Sequence, residues 1–221
     1  MTFNIETFKQ QGLPFGGQRP SLFAILFAAP GGVAEVNQSA VNELSYQAKG
    51  TQIPASTMGV VEAGYFGRKI KLAGDRSFSD WTVNVYSDED LASRSFFEAW
   101  SNGINEMEAN VRESAAVGSG GDGASTTAPG QTGYKVDLTV YQYGQDGTVL
   151  RAYTLVGAWP RDVGAVQMDW DNQNQIITFG VTFAYDYWIP VEGAEQNARG
   201  GPVSLYAQAV DDAQQSSTSG I

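Results

Sequence analysis

Alternation of apolar and polar residues recurs along much of the chain, and it predicts strands. Residues 80–86 (DWTVNVY) set Trp81, Val83 and Val85 against Thr82, Asn84 and Tyr86, the period of a half-buried strand. Residues 134–143 repeat the pattern, with Val136, Leu138 and Val140 opposite Asp137, Thr139 and Tyr141. Residues 149–156 pair with that strand across 144–147 (GQDG), whose Asp146-Gly147 is a hairpin signal. Residues 175–188 alternate Ile177, Phe179, Val181, Phe183 and Tyr185 against Thr178, Thr182 and Asp186. An apolar β-rich run at 21–29 lies between Pro20 and the turn Pro30-Gly31-Gly32. Residues 41–49 (VNELSYQAK) alternate weakly and read as a strand. Residues 60–73 read as a hairpin or long loop with Gly64 and Gly67 near its middle.

Helical spacing is scarce. Residues 88–103 carry it, with Leu91, Phe96, Phe97 and Trp100 as the apolar face, Ser87 as the expected N-cap and Gly103 as the expected stop. Asp88, Glu89 and Asp90 suit the positive end of such a helix. The first eleven residues read as a short helix. Residues 117–133 (VGSGGDGASTTAPGQTG) have no apolar period and read as a flexible insertion. Residues 193–221 are polar and small, with one weakly helical stretch at 205–213. A strand-dominated chain with one helix predicts an antiparallel barrel or sandwich, because closure removes exposed sheet edges.

Composition narrows the chemistry. Among 221 residues there is no Cys and no His, which excludes disulfides, thiolate nucleophiles, zinc fingers and His-based triads. The formal net charge of −11 is uneven: net −2 over residues 1–103 and net −9 over 104–221. Such a chain is expected not to hold nucleic acid tightly, since phosphate binding rests on Lys and Arg displacing counterions. The longest apolar run, 22–30, is about half the ~20 residues of a membrane span, and the N-terminus lacks the pattern of a signal peptide. A cytosolic protein, or part of an assembly built there, is expected.

Candidate sites are few. Asp169-Trp170-Asp171 lacks the glycine and distal acid of a calcium loop and reads as a turn. The run 118–123 (GSGGDG) lacks the Lys of a phosphate-binding loop. Tyr141, Tyr143, Tyr185, Tyr187 and Trp188 would suit sugar or base stacking, but their strand alternation favours core and interface positions. Arg68, Lys69, Lys71 and Arg76 form the one cationic concentration and read as a partner for acidic surface on a neighbour. No catalytic set, cofactor site or metal site emerges.

The stretch 71–83 (KLAGDRSFSDWTV) resembles the tail tube proteins of contractile-tailed bacteriophages. That family carries a G-D-R-[ST]-F-x-D-W motif, matched here by Gly74, Asp75, Arg76, Ser77, Phe78, Asp80 and Trp81, with Ile53-Pro54 upstream. Trp159-Pro160, Asp162-Val163-Gly164, Asp169-Trp170-Asp171 and Asp186-Tyr187-Trp188 follow in the family's order, and the opening PFGGQRPSLF also looks like the family's. The resemblance implies a mainly β subunit, a barrel or sandwich with one flanking helix, an extended loop hairpin and a long C-terminal extension. The tube domain would span 1–190, with the insertion near 113–133 and the extension over 191–221. Both departures from the family pattern would be outward decorations or marks of a related tube part.

The implied function is structural. Hexameric rings stack into an inner tube within a contractile sheath, in a virion tail assembled in the host cytoplasm. The implied partners are further copies of the chain, the sheath, the baseplate and tail-terminator proteins, and the tape measure protein and DNA in an acidic bore. A baseplate tube initiator, the inner tube of a phage-derived injection machine and a carbohydrate-binding β-sandwich are the alternatives. An enzyme is not expected. Inter-ring or intersubunit contacts are expected at Gly64, Tyr65, Phe66, Arg68, Lys69, Lys71 and Arg76, met by Asp88, Glu89 and Asp90. Of the motif residues, Asp75, Phe78, Trp81, Trp159, Trp170 and Trp188 are expected mainly in the core.

Overall fold

The computed structural model describes residues 4–13, 17–31, 33, 38–108, 110, 133–171 and 174–191. The expected flexible insertion, apart from Gly133, and the expected extension beyond Val191 lie outside the described residues. The elements are α1 (Ile5–Thr7), continued by a π-helical turn Phe8–Gly12, then β1 (Phe23–Leu26), α2 (Gln38–Gln47), β2 (Ala48–Thr51), β3 (Ser56–Tyr65), β4 (Arg68–Phe78), β5 (Trp81–Tyr86), α3 (Ala92–Ile104), β6 (Val136–Tyr143), β7 (Val149–Val163), β8 (Thr178–Ala184) and β9 (Tyr187–Pro190).

Seven strands form one sheet in the order β1-β6-β7-β8-β5-β2, with β9 also paired to β7, while β3 and β4 form a separate two-stranded sheet. The large sheet is open. The expected barrel or sandwich is therefore corrected to an antiparallel, sheet-rich fold with flanking helices. A helix makes closure unnecessary for the core. The alternating strands turn Trp81, Val83 and Val85 of β5 and Phe179, Val181 and Phe183 of β8 inward, and the face they make is covered by α3. Phe97 of α3 meets Phe179 and Phe183 at ring distances of 6.3 and 5.9 Å, and Trp100 meets Phe183 at 6.2 Å. Each such side chain contributes roughly 1.5–3 kcal/mol by leaving water.

Four local expectations are corrected as well. Residues 41–49 are mostly helix. Val41 and Leu44, three apart, are the buried pair, and α2 packs beside α3. Two helices thus flank the sheet where one was expected. Helix α3 starts at Ala92, not near Asp88, because the Ser87 amide is tied to the Ile177 carbonyl as an extension of β5. A turn follows, with Leu91 at a φ of 57°, and the Asp90 carboxylate accepts from the Ala92 amide at 3.0 Å. Gly103 does not end α3. It is buried against Val33, where a Cβ would lie 2.5 Å from Val33 Cγ1. Strand β7 continues through Gly157 and Pro160, residues that ordinarily break a strand. Gly157 adopts a φ of 68° and donates its amide to Asp137 Oδ1, and the pairing with β8 shifts register just after Pro160.

The chain divides into two compact units. One comprises the described residues of Met1–Phe23 and Tyr141–Ala152. In it the expected Asp146-Gly147 turn forms: Asp146 Oδ1 accepts from the amide and hydroxyl of Thr148, and Gly147 has a φ of 80°. Those bonds hold the Asp146 carboxyl below its usual range, the Thr148 side chain first. The other unit comprises Ala24–Val140 and Tyr153–Val191, and it holds the aromatic core and the β3–β4 hairpin.

Candidate functional site

The hairpin of β3 and β4 begins where the chain leaves the core. Pro54 is buried, and the Gln52 carbonyl accepts from the Trp81 indole at 2.6 Å. On the returning strand, Phe78 lies against the Tyr185 ring at 6.2 Å, and Asp80 pairs with Arg161 of β7. Burial, with the Asp80 charge second, pushes the Tyr185 phenol up. Between these anchors, every residue of β3 and β4 is exposed except Gly74 and Phe78, which are half-buried.

Register sorts the hairpin's side chains into two faces. Val61 opposes Leu72, Ala63 opposes Ile70 and Tyr65 opposes Arg68, all on one face. Glu62 opposes Lys71 and Gly64 opposes Lys69 on the other. Lys69 reaches diagonally to Glu62 at 2.7 Å, an exposed pair worth about 0–1 kcal/mol. The result is an amphipathic ribbon that leaves its apolar side in water. Nearer the root, the pairing bulges between Met58 and Val60, where the backbones of Gly59 and Gly74 approach too closely for comfortable side chains.

The tip is a two-residue turn with both residues left-handed, Phe66 at φ 46° and Gly67 at φ 81°. Such turns favour Asn-Gly, and a bulky residue at the first position costs about 1–2 kcal/mol. Phe66 is nonetheless there, 90% exposed, edge-on to a Tyr65 ring that is 68% exposed. A strained backbone that holds an aromatic in water points to a contact outside the chain.

The structure gathers Gly64, Tyr65, Phe66, Arg68, Lys69, Lys71 and Arg76 on this one hairpin, and Asp75, expected in the core, is instead exposed at its bulge. It does not bring Asp88, Glu89 and Asp90 into it; they form the exposed turn before α3, with Asp88 and Asp90 each accepting a backbone amide. Of the motif aromatics, Trp81 is buried at 2% exposure. Phe78, Trp159 and Trp188 are half-buried, the last two edge-on to Tyr134 and Tyr153. Trp170 departs from the expected core position: it is 99% exposed, at a turn in which Asp169 Oδ1 accepts the Asp171 amide at 3.0 Å. Sequence reasoning also missed the apolar side of the hairpin. Its signal was present in Val61, Ala63 and Tyr65 alternating with Glu62 and Gly64. Among the described residues, no group of three or more acidic side chains is placed to hold a metal ion, and no helix is long and apolar enough to cross a membrane.

Residues 18–191 match the phage tail tube protein family. The chain is similar to tail tube protein gp19 of Enterobacteria phages T4 and T6, 36% identical over 171 residues, which cover 77% of this chain and 90% of each relative. The tail tube protein of Serratia phage KSP90 is 22% identical over 170 residues, 77% of this chain and 86% of that one. In fold the chain resembles the sheath/tube terminator of PVC, an extracellular contractile injection system. The TM-score is 0.52 at 15% identity, covering 79% of this chain and 96% of the other.

Proposed function

From the premise that this chain belongs to the phage tail tube protein family, we propose that copies of it close into six-membered rings and that the rings stack through the β3–β4 hairpin. The protein is a structural component of the contractile-tail type, not an enzyme. The observation that carries the stacking reading is the hairpin's apolar face. Val61, Ile70, Leu72, Tyr65 and Phe66 are exposed together on a ribbon that none of the described residues covers. Contiguous apolar surface of this kind marks an interaction site. Arg68, Lys69, Lys71 and Arg76 surround it and set register against acidic surface on the neighbouring ring, of which Asp88, Glu89 and Asp90 form one exposed stretch.

Ring closure uses the open sheet. The short edge strands β1 and β2 present unpaired backbone groups that a neighbouring copy can satisfy. Six copies carry a formal −66, so phosphates passing through the bore are repelled and slide. Outside the tube stand the sheath, and at its ends the baseplate and terminator proteins; the tape measure protein and then DNA occupy the bore. Assembly in the host cytoplasm and residence in the virion tail follow from that role.

Electron microscopy of the purified chain tests the proposal. Rings or tubes of sixfold symmetry are expected. A folded monomer that persists at high concentration by sedimentation overturns it. Rings that never lengthen, with the hairpin intact, favour a tube initiator over a tube.

A further inference from the structure

A second apolar surface stands exposed in the same unit, on the segment joining β7 to β8. Trp170 is 99% and Met168 86% exposed, followed by exposed Ile176 and Ile177. From residue 162 to 177 the sequence has three Asp and no Lys or Arg. Among the described residues, neither Asp169 nor Asp171 is in an ion pair, and neither are Arg68, Lys71 and Arg76 of the hairpin. The two surfaces are complementary: an apolar ribbon rimmed by cations, and an apolar tip rimmed by carboxylates. Their exposure shows that they do not cover each other within one chain.

We propose that the hairpin of one copy docks on the Met168–Asp171 turn of a second copy. This deepens the stacking reading and rests on it. Tyr65 and Phe66 bury against Trp170 and Met168. Arg68 lies on the same hairpin face as Tyr65, where its guanidinium can stack on the Trp170 indole, the aromatic that cations favour most. Arg68 and Lys71, the cations without an ion pair among the described residues that lie toward the tip, answer Asp169 and Asp171. The turn before α3 is the weaker acceptor. Asp88 and Asp90 already accept backbone amides there, and Leu91 is its one large exposed apolar side chain. Asp169 in the Trp170 turn also accepts an amide, but two large apolar groups accompany it.

The absence of cysteine makes a direct test simple. Full-length Phe66→Cys and Trp170→Cys variants are purified separately, mixed under assembly conditions and mildly oxidised. Disulfide-linked dimers are expected from the mixture and not from either variant alone. No cross-link in a mixture that forms tubes overturns the proposal. Charge reversal gives an independent reading: Asp169→Lys with Asp171→Lys should raise the concentration needed for assembly about tenfold, and adding Arg68→Glu and Lys71→Glu should recover most of that loss. Unchanged thermal unfolding confirms that these exposed positions leave the fold intact. Tubes that form normally with the turn reversed, but fail with Tyr65→Ala and Phe66→Ala, sink this acceptor while sparing the stacking hairpin. Normal tubes from the double alanine variant sink the stacking reading itself.

Discussion

Strand β5 and the β3–β4 hairpin are neighbours in sequence and alike in pattern, yet they meet opposite fates. In β5, Trp81, Val83 and Val85 alternate with polar residues and are buried under α3 and beside β8. In the hairpin, Val61, Ala63 and Tyr65 alternate as regularly, and all are exposed. The difference lies in the partner and not in the pattern. Phe97, Trp100 and Phe183 supply one to β5, while the described residues supply none to the hairpin's apolar face. An alternating strand therefore specifies a face that wants covering, and whether a chain or an assembly covers it is a separate matter.

Substitutions that truncate each face should separate the two cases. Trp81→Ala removes a buried indole and its bond to the Gln52 carbonyl, and should cost roughly 3–5 kcal/mol of stability, read by denaturant unfolding. A soluble Trp81→Ala that melts like the parent would show that β5 is no more a core strand than β3. Tyr65→Ala with Phe66→Ala should change folding stability by less than about 1 kcal/mol while abolishing stacking. A large loss of stability would mean that the hairpin's face is covered within the subunit after all.

Smaller changes sharpen the comparison. Gly103→Ala gains about 1 kcal/mol in helix propensity, but its Cβ collides with Val33. Overpacking costs typically 1–3 kcal/mol, so net destabilisation near 1 kcal/mol is expected, and Val33→Ala should relieve it. Tyr185→Phe keeps the ring against Phe78 and removes a buried hydroxyl that has no hydrogen-bond partner among the described residues, so it should stabilise by up to about 1 kcal/mol.

The same substitution has a pH signature. Burial raises the Tyr185 phenol above its unfolded value, so the folded state holds its proton more tightly. The associated stability is fully present below the unfolded value, about pH 10, and is lost as pH rises beyond it. Tyr185→Phe should flatten that alkaline fall, and an identical fall in both proteins would assign it elsewhere. The weakest expected effect is that of Lys69→Glu with Lys71→Glu, which should leave stability nearly unchanged and reduce stacking less than the double alanine variant does.

Local chemistry alone determined a good deal of this protein. Period-two runs marked β5, β6 and β8, the Asp146-Gly147 turn joined β6 to β7, and Gly64 and Gly67 marked a hairpin or long loop that the structure resolves as a hairpin. The ordered motif from Gly74 to Trp81 pointed to the family, because it joins residues that fix backbone and core together. Tertiary structure decided what these signals leave open. Residues 41–49 have too little alternation to hold a strand, and Val41 and Leu44 become helical neighbours because α3 lies beside them. The start of α3 is set by Ser87 bonding to Ile177, ninety residues away in sequence. The sheet stays open because a helix covers its aromatic face, and no strand pattern records that. Trp170 looked like a core residue by its type, yet its turn carries it into water. Each of these depends on which distant segment stands opposite a given face, and periodicity describes a face without naming its partner.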